Sequence, residues 1–287
     1  CNIDTHPSTY HLGYMLGPRI NAGGRVGKCS HGANLLLDKD PKNTFKLASE
    51  LDQYNKERQI LEKELLQKIL IKTKDYLNDP VLILSGENWH EGVIGIVASR
   101  LKDKFNKPII IISFDGNIGK ASARSIVGFD IGSIIIAATQ EKILIKGGGH
   151  KMAGGFSIKL ENLEKLKEFI FKKFKSINED LKSEKPLLLD SIIAPSAVNL
   201  EFYNKVALLS PFGSGNPEPK FIIENVKTIN GKIVGEKHIK SVLIGSDGST
   251  IKSIAFNATE NDLGGYLLNK NNKSFNIAGK LSLNEWK

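Results

Sequence analysis

An almost unbroken run of helical composition from Thr44 to Leu77 constrains this chain more than any other feature. Leu47, Leu51, Tyr54, Arg58, Leu61, Leu65 and Ile69 recur at steps of three or four. That spacing predicts one long amphipathic helix, with Pro41 and Asn43 marking its start and Asn78-Asp79-Pro80 its stop. Such a helix commonly spans two domains. A chain of 287 residues is also too long for one ordinary core, so a multi-part architecture is expected.

Beyond the helix, Val81–Leu84 reads as a strand, Gly86 to Gly92 as a loop, Val93–Phe105 as a helix and Ile109–Ile112 as a second strand. This is a βαβ unit, which implies parallel pairing. The same segment continues through Lys120–Ser125, an apolar helix around Ile131 to Thr139, the run Gly147–His150 and a helix from Leu160 to Lys175. Lys182 to Pro186 is a polar linker. After it, short strands alternate with turns: Lys220–Glu224, Gly231–Val234, Ser241–Ile244, Ile251–Phe256 and Phe275–Leu283, the pattern of a small OB-type β-barrel. The expected fold class is therefore an α/β domain with a mixed sheet and flanking helices, preceded by a long interdomain helix and followed by an OB-type β-barrel. The expected boundaries are 1–42 for an opening segment, 43–78 for the helix, 79–185 for the α/β domain and 186–287 for the barrel. Cys1 to Asp40 is turn-rich and reads as the completion of something begun upstream, which points to a piece of a longer protein. The barrel is expected to be truncated, because little follows Phe275–Leu283 before Trp286-Lys287.

Composition narrows the class. With 40% hydrophobic and 25% charged residues, wholesale disorder is disfavoured. Lys+Arg 40 against Asp+Glu 31 leaves +9, which favours a polyanionic partner without identifying one. Genome composition also produces Lys excess in Ile- and Asn-rich text, so position must carry the argument. Cys1 and Cys29 form no CxxC or Cys/His cluster, which argues against structural zinc and disulfides; a reducing cytoplasm is the simplest compartment. No apolar run approaches the ~18 residues of a membrane span, so membrane insertion is disfavoured.

Two motifs carry candidate chemistry. Lys120-Ala121-Ser122-Ala123-Arg124-Ser125 is placed between a strand and a helix, where a forked guanidinium, short hydroxyls and a helix N-terminus suit a phosphate. A polar surface turn is an equal reading. In Gly147-Gly148-Gly149-His150, three consecutive glycines cost backbone entropy and are expected where a ligand or another backbone comes close. Met152-Ala153-Gly154-Gly155 extends that small-residue surface. His150 could donate to a phosphate or leaving oxygen near neutral pH, against the common alternative of a histidine satisfied within a turn, and the glycine run shifts the balance toward a substrate-facing loop. Arg19, Asn21 and Arg25 are interleaved with glycines and could reach a backbone phosphate, with a structural ion pair as the competing reading. Around His90, capping and packing outweigh metal binding. Phe212–Pro219 is a rigid turn whose aromatic plugs a barrel end or stacks on a base, plugging being the favoured reading. No Asp-His-His cluster is present to hold two metals.

Six motifs in order, GPRINAGGR at 17–25, NKER at 55–58, ENWHEGVIGIVASRL at 87–101, SARS at 122–125, GGGHKMAGG at 147–155 and PFGSGNPEP at 211–219, resemble the RecJ family. The resemblance covers essentially the whole chain. It implies the DHH phosphoesterase superfamily: residues 1–42 as the tail of the catalytic DHH domain, 79–185 as the DHH-associated domain and 186–287 as the OB-fold domain. The activity implied is a 5′-to-3′ single-stranded-DNA exonuclease of DNA repair and recombination, with magnesium or manganese bound by the catalytic domain that this chain lacks. Single-stranded DNA is the implied partner, with a single-strand-binding protein or helicase as further candidates. By motif position, Ser122 and Arg124 would hold the 5′-phosphate, His150 would sit near the scissile phosphate as an auxiliary group, and Arg19 and Arg25 would line the channel. Asn21, Ser125, Gly148 and Gly149 complete the implied substrate-binding set. No other catalytic residue and no metal ligand is expected in the chain. The alternatives are a non-catalytic single-strand-binding or scaffold protein and a phosphodiesterase of short RNA or dinucleotides.

Overall fold

The computed structural model describes residues 1, 3, 7–177, 186–259, 262–268 and 273–284. The expected linker at Lys182–Pro186, apart from Pro186, and the ending at Trp286-Lys287 lie outside them. Contacts divide the chain into two compact units, 1–184 and 185–287.

In the first unit the Gly-rich opening folds into short helices, α1 (Gly17–Ile20), α2 (Gly23–Val26) and α3 (Ser30–Leu37), which pack against the long helix α4 (Pro41–Thr73). Helix α4 buries Leu47 and Leu51 near its start and Leu65 and Ile69 near its end. Between them the buried stripe turns polar. Glu62 is 2% exposed and is gripped by Arg58 at 2.6 Å and by Arg100 from the next helix, while Arg58 also donates to Asn55 Oδ1 at 3.0 Å. A carboxylate this buried persists only when paired, so the pairing explains why an arginine falls on an otherwise apolar stripe.

Next come β1 (Leu82–Glu87), α5 (Glu91–Phe105) and β2 (Ile109–Asp115), and β1 and β2 are parallel as the βαβ reading requires. Then β3 (Ile118–Arg124) runs antiparallel to β2. Helix α6 (Ile131–Gln140) leads into the hairpin β4 (Lys146–His150) and β5 (Ala153–Lys159), and α7 (Leu163–Ile177) closes the unit. The strand order β1-β2-β3-β5-β4 makes a mixed sheet. Alternation assigns its two faces. Ile109 and Ile111 pack with Leu65, Ile69, Val97 and Leu101 on the α4/α5 side; Ile110, Ile112, Ala121, Ala123 and Phe156 pack with Ile134, Ile170 and Phe174 on the α6/α7 side. Strand β2 is thus buried on both faces, which is why it reads as an unbroken apolar run.

Two local expectations are corrected. Lys120–Arg124 is not a turn before a helix but the body of β3, and the glycine run is not a loop but strand β4. Both errors arise from small residues. Ala, Ser and Gly carry little strand signal, yet here every position is held by cross-strand pairing with β5.

The second unit contains β6 (Ser191–Ile192), α8 (Leu200–Ala207), β7 (Phe221–Val234), β8 (His238–Ile244), β9 (Thr250–Ala255), α9 (Asp262–Leu267) and β10 (Phe275–Gly279). The two strands expected within 220–234 are one 14-residue strand with a register shift between Thr228 and Asn230. Its first half pairs with β6 and β10 and its second half with β8. The curled sheet wraps Ile223, Val226, Ile239, Leu243, Ile251 and Leu267, a core that fits an OB domain. The turn at Phe212–Pro219 is closed by the Asn216 amide, which donates to the carbonyls of Leu209 and Pro211.

Candidate nucleic-acid interface

Helix α5 covers β2 and the near edge of β3, and beyond it the same sheet face is open. Register fixes what that face presents. Ser122 pairs with Gly155, which pairs with Gly148; one row along, Arg124 pairs with Ala153, which pairs with His150. Alternation puts all six on the α5 side, since Ala121, Ala123 and Phe156 are committed to the opposite core. The result is a platform with a small-residue centre and with Arg124 and His150 on its flanks. A cleft of about 520 Å³ opens over the centre, lined in part by Ser122, Gly148 and Gly155.

Arg124 rises from β3 against α5. Its Nε donates to Ser99 Oγ at 3.0 Å and its Nη1 to Ser122 Oγ at 3.0 Å and to the Ala123 carbonyl at 2.8 Å. Gly95 makes this possible: a Cβ there would stand 3.0 Å from both Arg124 Nη2 and Ser122 Oγ. Partial burial pulls the Arg124 pKa below its ordinary value, and the charge of Arg25 lowers it further. A guanidinium partly out of water, with a second positive charge acting on it, gains from an anion. Arg25 is placed by α2, whose backbone presses on α5: a Cβ on Gly92 would come within 2.1 Å of the Arg25 carbonyl, and Arg25 Nη1 donates to the Gly92 carbonyl at 3.2 Å.

The remaining candidates separate. His150 is exposed on the platform, with Nδ1 3.4 Å from the Met152 amide. Gly148 faces open space, whereas Gly149 faces the Ala153 carbonyl, where a Cβ would approach within 2.4 Å. Arg19 is turned elsewhere: its Nε meets Asp52 Oδ1 at 2.7 Å and its Nη1 the Met15 carbonyl at 2.7 Å, so it ties α1 to α4. Ser125 is 1% exposed, and its hydroxyl donates to the Phe129 carbonyl at 2.5 Å, which withdraws it from any ligand. Asn21 is exposed at the end of α1, where its backbone N–H caps the helix on the Gly17 and Arg19 carbonyls. His90 caps α5, accepting from the Gly92 amide at 3.1 Å.

Sequence reasoning missed Gly95 and Ser99. The available signal was the alternation in Lys-Ala-Ser-Ala-Arg, which marks a strand with one polar face. Among the described residues no three His, Cys, Asp or Glu side chains converge as a metal site. The groups present are guanidinium, hydroxyl and imidazole on a bare backbone, with one carboxylate, Glu91, engaged by Lys120; they suit phosphate oxygens and do not fit magnesium or manganese, which take several carboxylate and other oxygen ligands.

Residues 78–176 match the DHHA1 domain family and residues 189–287 the RecJ OB domain family. The chain is 31% identical over 284 residues to the single-stranded-DNA-specific exonuclease RecJ of Bacillus subtilis, covering 96% of this chain and 35% of that protein. It is 33% identical over 266 residues to the same-named protein of Escherichia coli, covering 86% of this chain and 44% of that one. The crystal structure of RecJ in complex with Mg2+ from Thermus thermophilus matches with a TM-score of 0.79 at 26% identity, over 97% of this chain and 41% of the other. A complex with Mn2+ from the same source matches at 0.78, covering 97% of this chain and 39% of the other. The chain therefore spans less than half the length of these relatives.

Proposed function

Because residues 78–176 belong to the DHHA1 domain family, residues 189–287 to the RecJ OB domain family, and the chain is a homologue of the RecJ exonucleases, we propose that it is the strand-holding part of a 5′-to-3′ single-stranded-DNA exonuclease. The observation that carries this reading is Arg124, whose Nη1 donates to Ser122 Oγ at 3.0 Å at the edge of an open glycine platform, with Arg25 reaching the same helix α5 at the Gly92 carbonyl. The guanidiniums and the Ser122 hydroxyl bind the 5′-terminal phosphate. Gly148 and Gly155, without side chains, let the strand lie close to the sheet, and His150 faces the phosphate that follows. Arg19 and Ser125 are left out of this set, because their polar atoms are spent on Asp52 and Phe129.

In this reading hydrolysis belongs to the whole exonuclease, whose catalytic DHH domain supplies the magnesium or manganese site. The described residues of this chain do not. They bind and orient the strand, and the OB domain adds a second module suited to single strands. Work in DNA repair and recombination, beside a single-strand-binding protein or helicase, follows from such an activity. A cytoplasmic setting agrees with two free cysteines and with the finding that no described helix is long and apolar enough to cross a membrane.

The test is fluorescence anisotropy with 5′-phosphorylated and 5′-hydroxyl oligodeoxynucleotides, single-stranded and duplex. A preference for single strands carrying the 5′-phosphate supports the reading. Equal binding of all four sinks it.

A further inference from the structure

The row beyond Ser122 on the platform has a different character. Lys120 on β3 pairs with Ser157 on β5, and Ser157 pairs with Lys146 on β4, so two ammonium groups flank one hydroxyl across three adjacent strands. All three line the cleft above the sheet, together with Glu91 from the first turn of α5. The two lysine backbones stand two strand spacings apart, about 10 Å. Lys120 is neutralised by Glu91, with Nζ 2.8 and 2.9 Å from its two carboxylate oxygens. Lys146 forms no ion pair among the described residues. Lys146 is thus an uncompensated cation at the cleft among the described residues, open to a further anion.

We propose that Lys120, Ser157 and Lys146 form a second phosphate subsite, which takes an internal phosphate of the strand whose 5′ end is held at Ser122 and Arg124. It rests on the function proposed above and deepens it. The row lies two residues along β3 from Ser122, about 7 Å, and is continuous with it across the floor of the same cleft. Lysine suits an internal phosphate, where a mobile point charge tolerates variation in backbone geometry, whereas the forked guanidinium suits the terminus. Glu91 is the internal competitor. While it holds Lys120 the subsite is half neutralised, and an entering phosphate takes its place.

The experiment compares thymidine 5′-monophosphate with a 5′-phosphorylated thymidine pentanucleotide by competition anisotropy on the full chain. Each variant is first checked for an unchanged thermal unfolding midpoint. Lys146→Ala and Lys120→Ala are expected to weaken the pentanucleotide about three- to tenfold while leaving the mononucleotide within about twofold. Glu91→Gln should tighten the pentanucleotide about two- to fivefold. Replacing internal phosphates one at a time by neutral methylphosphonate should reveal one position that matters to the native chain and not to Lys146→Ala. The proposal is overturned if the lysine variants keep the native gain from mononucleotide to pentanucleotide, or if they weaken both ligands by the same factor. Absence of any 5′-phosphate preference in the native chain would instead overturn the reading of Arg124 and Ser122, so the two failures are distinguishable.

Discussion

The Nε of Arg124 donates to the hydroxyl of Ser99 at 3.0 Å, so the guanidinium on strand β3 is held by helix α5 before any ligand arrives. A side chain fixed in this way loses less freedom on binding, and its remaining donors stay aimed beside Ser122.

Arg124→Ala should therefore weaken 5′-phosphorylated strands by about 1.5–3 kcal/mol, the usual value of a charge-assisted hydrogen bond. Strands ending in a 5′-hydroxyl should lose far less. Ser99→Ala keeps the charge and frees the fork, so its expected loss is about 0.5–1.5 kcal/mol. Anisotropy titrations of both strands against both variants check this, and equal losses for the two strand types would exclude an end-binding pocket.

Binding should fall with salt, because each neutralised phosphate releases counterions. In a plot of log affinity against log salt, Arg25→Ala should reduce the slope by about 0.7, the single-strand value for one contact. Arg19→Ala should leave the slope unchanged, since that guanidinium is engaged by Asp52 and Met15.

Stability should divide differently. Glu62→Ala strands Arg58 beside the buried middle of α4 and should cost about 3–5 kcal/mol in urea unfolding. Arg19→Ala breaks a partly exposed pair and should cost at most about 1 kcal/mol. A small loss for Glu62→Ala would mean that α4 and α5 are held by their apolar contacts alone.

The Asp52 carboxyl is held below its ordinary pKa, first by the hydrogen bond from Lys56 and then by that from Arg19. A carboxyl whose folded pKa is depressed contributes stability above its unfolded value and loses it as pH falls through the folded value. The urea midpoints of the native chain and of Asp52→Asn should therefore differ by a constant amount near neutral pH and converge below about pH 4. A gap that persists at low pH would assign the difference to packing.

The 287-residue chain by itself should release no nucleotides from a 3′-labelled single strand in magnesium or manganese. In the proposed function its described residues orient a phosphate, and acid or base help from His150 alone would be worth only about 10²–10⁴-fold. Metal-dependent cleavage that vanishes in Arg124→Ala would reveal a catalytic centre among these residues.

What the sequence determined by itself is local and periodic. Steps of three and four wrote α4, the apolar run Ile109–Ile112 wrote a strand buried on both faces, and the ordered motifs pointed to the family. Tertiary structure decided which polar groups meet. Arg19 and Arg25 stand six residues apart in one glycine-rich motif, yet one is consumed by Asp52 and the other reaches the Gly92 carbonyl at the start of α5. Ser122 and Ser125 are three apart, yet one faces the cleft and the other is sealed under Phe129. The physical reason is that the rows of the platform run across strands. Lys120, Ser157 and Lys146 become neighbours only when hydrogen-bond register aligns β3, β5 and β4, and register is a non-local property that side-chain spacing along one strand does not carry.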